Sequence, residues 1–600
     1  MDTALDSHCD LGGMDTYSPA SKCSSALTRL AKLVSPFQGC LKEPANSGQS
    51  PPRSLGPPVV SHKLSQPPRH NQYEIFGLTR IFLLFCVAST LFFLGCEKKR
   101  QKADLVFINT AEPESLDPQI VTGQPEGRLV SELFEGLVRF NRFGKIEPGV
   151  ASWWEISPNQ CLYTFHLRPQ ASWSDGKRVT ADDFVTSWQR MLIKETAAPY
   201  SDQFFVIEGA KDFSLERIPF SRVGIHALND QTLQVTLVHP TPYFLQLCAL
   251  WSFFPVRMDL IHRCGDNWVK PENMISNGPY TLSDWKINDK IVLKKNPFYW
   301  NASRVALRSI DVLPISQVNV AYNFYAAKQA DLLMGRPSVF LLDALKGTED
   351  FHVSPYLGVH FIRFNCTRAP FNDPRVRQAF ALVINRHRLT EKITRAGERI
   401  AESLVPPGIP GYEPTLGLGY NVNLARKLLA EAGYPGGKNF PLSHYLYSED
   451  EMNEGIAVEL QSMWQKELGI SILLERREWK VYLTSMNRLD YGMAISNWIS
   501  DYADPNSFLE LFVSGGGNNR TGWKSQSYDH MLDTASHEIN PHKRFTLLRN
   551  AEDMIICQEV PITPLFFNLA IQLYHPKELG GIEPNLFDEH PLSEIYSHHE

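Results

Sequence analysis

The sequence predicts a mixed α/β protein, and three observations carry that reading. From Ala103 onward, short apolar runs of strand character alternate with segments of helical period. Apolar residues make up 43% and charged residues 21% of the chain, the balance of a packed globular protein. Neither an internal repeat nor a Pro/Gly/Ser-rich linker interrupts residues 103–600, so short hinges join the domains. At roughly 150 residues per domain, 600 residues allow about four units, fewer if they are large. A chain this long buries several cores without a disulfide or metal staple.

Residues 1–80 read as a disordered extension, rich in proline and serine and without a sustained apolar period. The run 81–95 (IFLLFCVASTLFFLG) carries no charge and follows Arg80. Its fifteen residues are short for a spanning helix and suit the h-region of a signal peptide. Leu94-Gly95-Cys96 followed by a charged tether resembles the bacterial lipoprotein signal, which implies that the Cys96 thiol is acylated. Phe93 departs from that pattern, in which Leu is preferred, and an uncleaved signal anchor is the alternative. Either reading places the bulk of the chain outside the cytoplasm, on the periplasmic or outer-surface side of a bacterial membrane.

Leu105-Val106-Phe107-Ile108 reads as the first strand. Helical periods cover Arg128 to Leu137, Ala181 to Leu192, Val376 to Arg388, Asn423 to Ala432 and Glu454 to Leu468. Thr180 followed by Asp182 and Asp183 is a capped helix start, with acids where the macrodipole favours them. Pro374 opens another helix, where its missing N–H costs nothing, and Gly433 closes one. Alternation over Thr232 to Val238 and Lys290 to Leu293 marks strands. Trp173-Ser174-Asp175-Gly176 is a turn with a tryptophan anchored in the core.

The net charge of −6 lacks the basic surplus of a nucleic-acid binder. No nucleophile elbow, HExxH, phosphate-binding loop or dinucleotide fingerprint occurs, so neither catalysis nor a cofactor has positive support. Past Cys96, Cys161, Cys248, Cys264, Cys366 and Cys557 form no ligand cluster and read as buried free thiols.

Several blocks resemble one family in collinear order. They are residues 112–118 (EPESLDP), 133–137 (LFEGL), 163–168 (YTFHLR), 173–176 (WSDG), 179–184 (VTADDF) and 187–190 (SWQR). Residues 276–280 (SNGPY), 295–300 (KNPFYW), 370–377 (PFNDPRVR), 432–434 (AGY) and 498–505 (WISDYADP) follow. The family is the extracytoplasmic oligopeptide-binding proteins of ABC transporters, the family 5 solute-binding proteins. The resemblance implies a two-lobed periplasmic-binding-protein fold of class II with an extra inserted domain. It implies lobe I from 103–134, 260–358 and 569–600, an extra domain at 135–259 and lobe II at 359–568.

The same resemblance implies that two lobes close over an oligopeptide, whose main chain pairs with strand edges. Asp501 is implied as the partner of the peptide ammonium, with Asn497, Trp498 and Ile499 beside it. Thr122, Gly123 and Gln124 are implied as the opposite wall, and Tyr200 as a tyrosine facing the ligand. The family carries an acid where Thr122 stands. A helix-capping Asp501 and a core Tyr200 are the structural alternatives. The implied protein is a lipid-anchored monomer and no enzyme, with ABC permease subunits as partners. Binders of dipeptides, cell-wall peptides, nickel or haem remain alternatives within the family, and a surface-anchored hydrolase outside it.

Overall fold

The protein is described by a computed structural model over residues 102–598; the extension, the apolar run and Cys96 lie outside the described residues. The chain opens with β1 (Leu105–Asn109), α1 (Gln124–Leu133), β2 (Val138–Phe140) and β3 (Ile146–Pro148). Next come β4 (Ala151–Ile156), β5 (Leu162–Leu167), α2 (Ala181–Leu192), β6 (Ile225–Asn229) and β7 (Thr232–Thr236). Then follow β8 (Tyr280–Lys286), β9 (Lys290–Lys295), β10 (Ser309–Pro314), β11 (Leu332–Met334), β12 (Phe351–Phe364) and α3 (Pro374–Leu382). The last third holds α4 (Val422–Glu431), β13 (Ser443–Ser448), α5 (Glu451–Leu468), β14 (Ile472–Arg477), β15 (Met493–Ile499) and β16 (Ile562–Tyr574).

Ten strands form one sheet in the order β14-β13-β15-β12-β16-β11-β1-β10-β9-β8. On one side β1 lies parallel to β10 and β11; on the other β13 lies parallel to β14 and β15. Between these groups run the antiparallel strands β12 and β16, of 14 and 13 residues. Each lobe uses one end of this pair. Phe351 to Pro355 pair with Leu573 to Leu569 beside β11, whereas Val359 to Arg363 pair with Phe567 to Ile562 beside β15. The register shifts between Pro355 and Val359, so the crossing sits at an irregular step where the ladder is weakest. The fold is therefore two-lobed, of class II.

A separate antiparallel sheet, β4-β5-β7-β6, is built from residues 151–236. Its inward residues Phe165, Leu233 and Val235 are fully buried, as are Trp188 of α2 and the stacked rings of Phe204 and Phe253. A second core around Phe371, Phe380, Tyr445 and Trp464 fills the lobe carrying β13 and β14.

Local chemistry explains most boundaries. At α2, the Asp183 carboxylate accepts from Thr180 N–H at 2.8 Å and Thr180 Oγ1 at 3.0 Å, closing a capping box. Gly176 sits at φ +85° in the turn after Trp173, which is 1% exposed. Asp373 caps α3 in front of Pro374, and Gly433 at φ +99° follows α4.

Two expected helices differ. The helix expected over 128–137 runs instead over 124–133, because Pro125 suits a first turn and Phe134 is extended. A Cβ on Gly136 would lie 2.6 Å from the Cys248 carbonyl, so the chain beyond Phe134 is pressed flat against a neighbour. The helix expected over 376–388 stops at Leu382, since the Asn385 side chain accepts from Arg388 N–H and starts a new turn. The thiols are free as expected, but only Cys248 is buried; the other four are half-buried. No helix among the described residues is long and apolar enough to cross a membrane.

Candidate functional site

The first wall is the approach to α1. Gly123 is extended at φ −84° and ψ 148° at the N-cap, and the helix begins at Gln124. Trp251 Nε1 donates to the Val121 carbonyl at 3.1 Å. Its ring covers Gly127, where a Cβ would lie 2.5 Å from the indole. Tyr200 Oη donates to the Thr122 carbonyl at 3.3 Å and its ring meets Trp251 edge-on. Gln124 Nε2 donates to Tyr356 Oη, tying this wall to the step between the lobes.

The second wall is the end of β15. Asn497, Trp498 and Ile499 pair with His360, Val359 and Gly358 on one edge. On the other edge β13 pairs only with Met493 and Ala494. Among the described residues, the backbone from Asn497 to Ile499 therefore offers an edge that no strand takes. Asn497 is exposed and its Oδ1 accepts from Asn568 Nδ2 at 3.0 Å, while half-buried Trp498 reaches Ser507 Oγ at 3.5 Å.

Asp501 follows β15 and is half-buried. Its Oδ2 accepts from Gln203 Nε2 at 3.3 Å, and Gln203 Oε1 in turn accepts from Ser252 Oγ at 3.0 Å. Burial pushes the Asp501 carboxyl up to about 6; nearby Asp202 adds to the rise and the Gln203 hydrogen bond opposes it. The same burial raises the Tyr200 hydroxyl, and the charge of Asp501 raises it further. Asp504, three residues on, differs in kind: Arg544 grips it through two hydrogen bonds of 2.7 and 2.8 Å. One acid of this loop is thus neutralised by a guanidinium, and the other faces a neutral amide.

The structure places Thr122, Tyr200 and Asp501 around one turn, since Tyr200 and Gln203 belong to the same segment. Gly123 and Gln124 continue the Thr122 wall, and Asn497, Trp498 and Ile499 lead into Asp501. Asp501 caps no helix, and Tyr200 is half-buried and packs against the core. Sequence reasoning missed Gln203, Ser252 and Trp251. Only the aromatic run at 251–254 hinted at the last. No cluster of His, Cys, Asp and Glu among the described residues suits a metal.

A two-lobed α/β protein with an open strand edge and an uncompensated carboxylate between its walls has the make-up of a solute-binding protein. The chain belongs to the bacterial extracellular solute-binding proteins, family 5, whose description matches residues 145–520. It is 34% identical over 506 residues to the periplasmic oligopeptide-binding protein OppA of Salmonella typhimurium, covering 82% of this chain and 92% of that one. The periplasmic murein peptide-binding protein MppA of Escherichia coli is also 34% identical, over 78% of this chain and 88% of its own. Among solved structures, a periplasmic oligopeptide-binding protein of Borrelia burgdorferi superposes with a TM-score of 0.75 at 33% identity, over 82% of this chain and 100% of that one. The OppA of Haemophilus influenzae in complex with the peptide RPPGFSPFR gives 0.71 at 30% identity, over 83% and 99%.

Proposed function

We propose that this chain is the oligopeptide-capturing component of an ABC importer and that it delivers its cargo to the permease without chemical change. The observation that carries the reading is Asp501, a half-buried carboxylate beside an open strand edge. Main-chain pairing along Asn497 to Ile499 and the Thr122 wall is blind to side chains, so one groove accepts many sequences. The ammonium is the charge that every free peptide shares, and Asp501 supplies its counter-charge. The printed names of OppA and MppA, and the bound peptide of the Haemophilus influenzae structure, support this reading.

The proposal includes Cys96 as the acylated terminus, residues 1–80 as lying outside the binder, the lobe boundaries given above and a monomeric state. Several acyl chains hold a protein at a membrane where one does so only marginally. Replacing Cys96 by Ser is expected to release the protein or leave an unprocessed precursor. Intact mass measurement of a mature chain that still carries residues before Cys96 would overturn the anchor.

Asp501→Asn tests the core of the reading. It keeps the shape and removes the charge, so binding weakens by roughly 3–5 kcal/mol, the usual cost of breaking a buried pair. That is a factor of about 10² to 10³ or more in affinity. N-acetylation of the peptide removes the partner charge, harming wild type and doing little more to the variant. Titration calorimetry of both proteins with both peptides closes the cycle. Equal affinity of the wild type for free and acetylated peptide would sink the assignment.

A further inference from the structure

The loop after β15 also docks onto the segment that follows β7. The Tyr502 ring lies parallel to that of Tyr243, with centroids 4.0 Å apart and planes 7° apart. Both rings are buried. Ala503 N–H donates to Gln246 Oε1 at 2.6 Å. Asn506 Nδ2 donates to Glu510 at 2.9 Å and reaches Tyr243 Oη at 3.4 Å, while Tyr502 Oη donates to Glu510 at 2.9 Å. Each side of this contact is braced from behind. Arg544 fixes Asp504, and Phe244, next to Tyr243, packs edge-on against Tyr163 of β5.

We infer that Tyr243 and Gln246 are positioning residues that latch the Asp501 loop shut and set how long a ligand stays bound. This rests on the peptide-binding reading. The reasoning is mechanical. Tyr243 and Tyr502 lie 259 positions apart in sequence, and β12 and β16 carry the chain between the lobes. Parting the lobes must therefore break the stack and the Gln246 bond. Both contacts are in place with the lobes together, so a bound ligand leaves only after they break. They act on Asp501 through its neighbour Tyr502.

The test compares Tyr243→Ala, Tyr243→Phe and Gln246→Ala with wild type by stopped-flow fluorescence, using an unblocked tetra-alanine peptide. An aromatic pair predicts dissociation roughly tenfold faster for Tyr243→Ala, with near wild-type behaviour for Tyr243→Phe. Association is expected to stay within about twofold in all three. A second readout needs no peptide. Spin labels at exposed Leu228 and Ile539 report the distance across the latch, which is expected to broaden toward longer values in Tyr243→Ala. If Tyr243→Ala does not fold, Gln246→Ala carries both measurements. Unchanged dissociation, an effect confined to association, or unchanged label distances would overturn the latch. Failure of the wild type to bind any unblocked peptide would overturn the function instead, and the label distances would still judge the latch.

Discussion

At the scale of single residues, burial gives Asp501 and Glu132 each a pH dependence of its own. Burial disfavours the charge of Asp501 and pushes its carboxyl up to about 6. Under the proposed function a peptide ammonium binds the ionised form, so below that pH binding must first expel a proton. Affinity is expected to hold above pH 7 and to fall by up to about tenfold per unit below 6. Calorimetry from pH 7.5 to 4.5 checks this, with Asp501→Asn as the flat control; a flat wild-type profile would contradict it. Glu132 of α1 is 3% exposed and burial lifts its carboxyl to about 8. Its Oε1 accepts from Leu592 N–H at 2.6 Å. Between the unfolded value near 4.5 and the folded value, the native state holds a proton that the unfolded state has lost, so stability declines as pH rises across that window. Glu132→Gln keeps the shape of the side chain and is expected to reduce this slope, raising stability at pH 8 by roughly 1–3 kcal/mol relative to wild type. Urea melts at pH 5 and pH 8 decide; an unchanged slope would show that Glu132 stays charged. Asp501 was legible in the sequence because it stands in a family pattern. Asp501 and Asp504 were still indistinguishable there, since Arg544 lies 40 positions away from the acid it neutralises. Gln203 was invisible for the same reason, at 298 positions from Asp501.

At the scale of elements, boundaries with local causes could be read and those with distant causes could not. Ala181 to Leu192 was legible in full because Thr180, Asp183 and the apolar period all lie within one segment. Thr180→Ala is expected to cost about 1 kcal/mol through the lost cap, measured as a lower urea midpoint. An unchanged midpoint would mean that Asp183 alone holds the turn. The helix misplaced at 128–137 shows the opposite case. Leu137 keeps helical spacing with Val130 and Leu133, yet Gly136 is pressed onto a carbonyl more than a hundred residues later. Asn385 was a local signal, and the apolar period on either side of it obscured the break.

At the scale of the whole molecule, a chain beginning at Gln101 is expected to bind peptide as tightly as any longer form; weaker binding under identical conditions would implicate the extension. The mixed α/β class was legible from alternating periods, whereas the strand order was not, because β16 pairs with strands that precede it by about 200 residues. That order has a consequence for synthesis. β16 is the strand that joins β12 to β11, and its residues 562–574 emerge from the ribosome after more than nine-tenths of the chain. Until then β12 and β11 each keep an unfilled edge, and no strand pairing joins the two halves of the sheet. A nascent chain of this topology cannot complete its fold early. Its ten-stranded sheet closes only when the last major strand arrives.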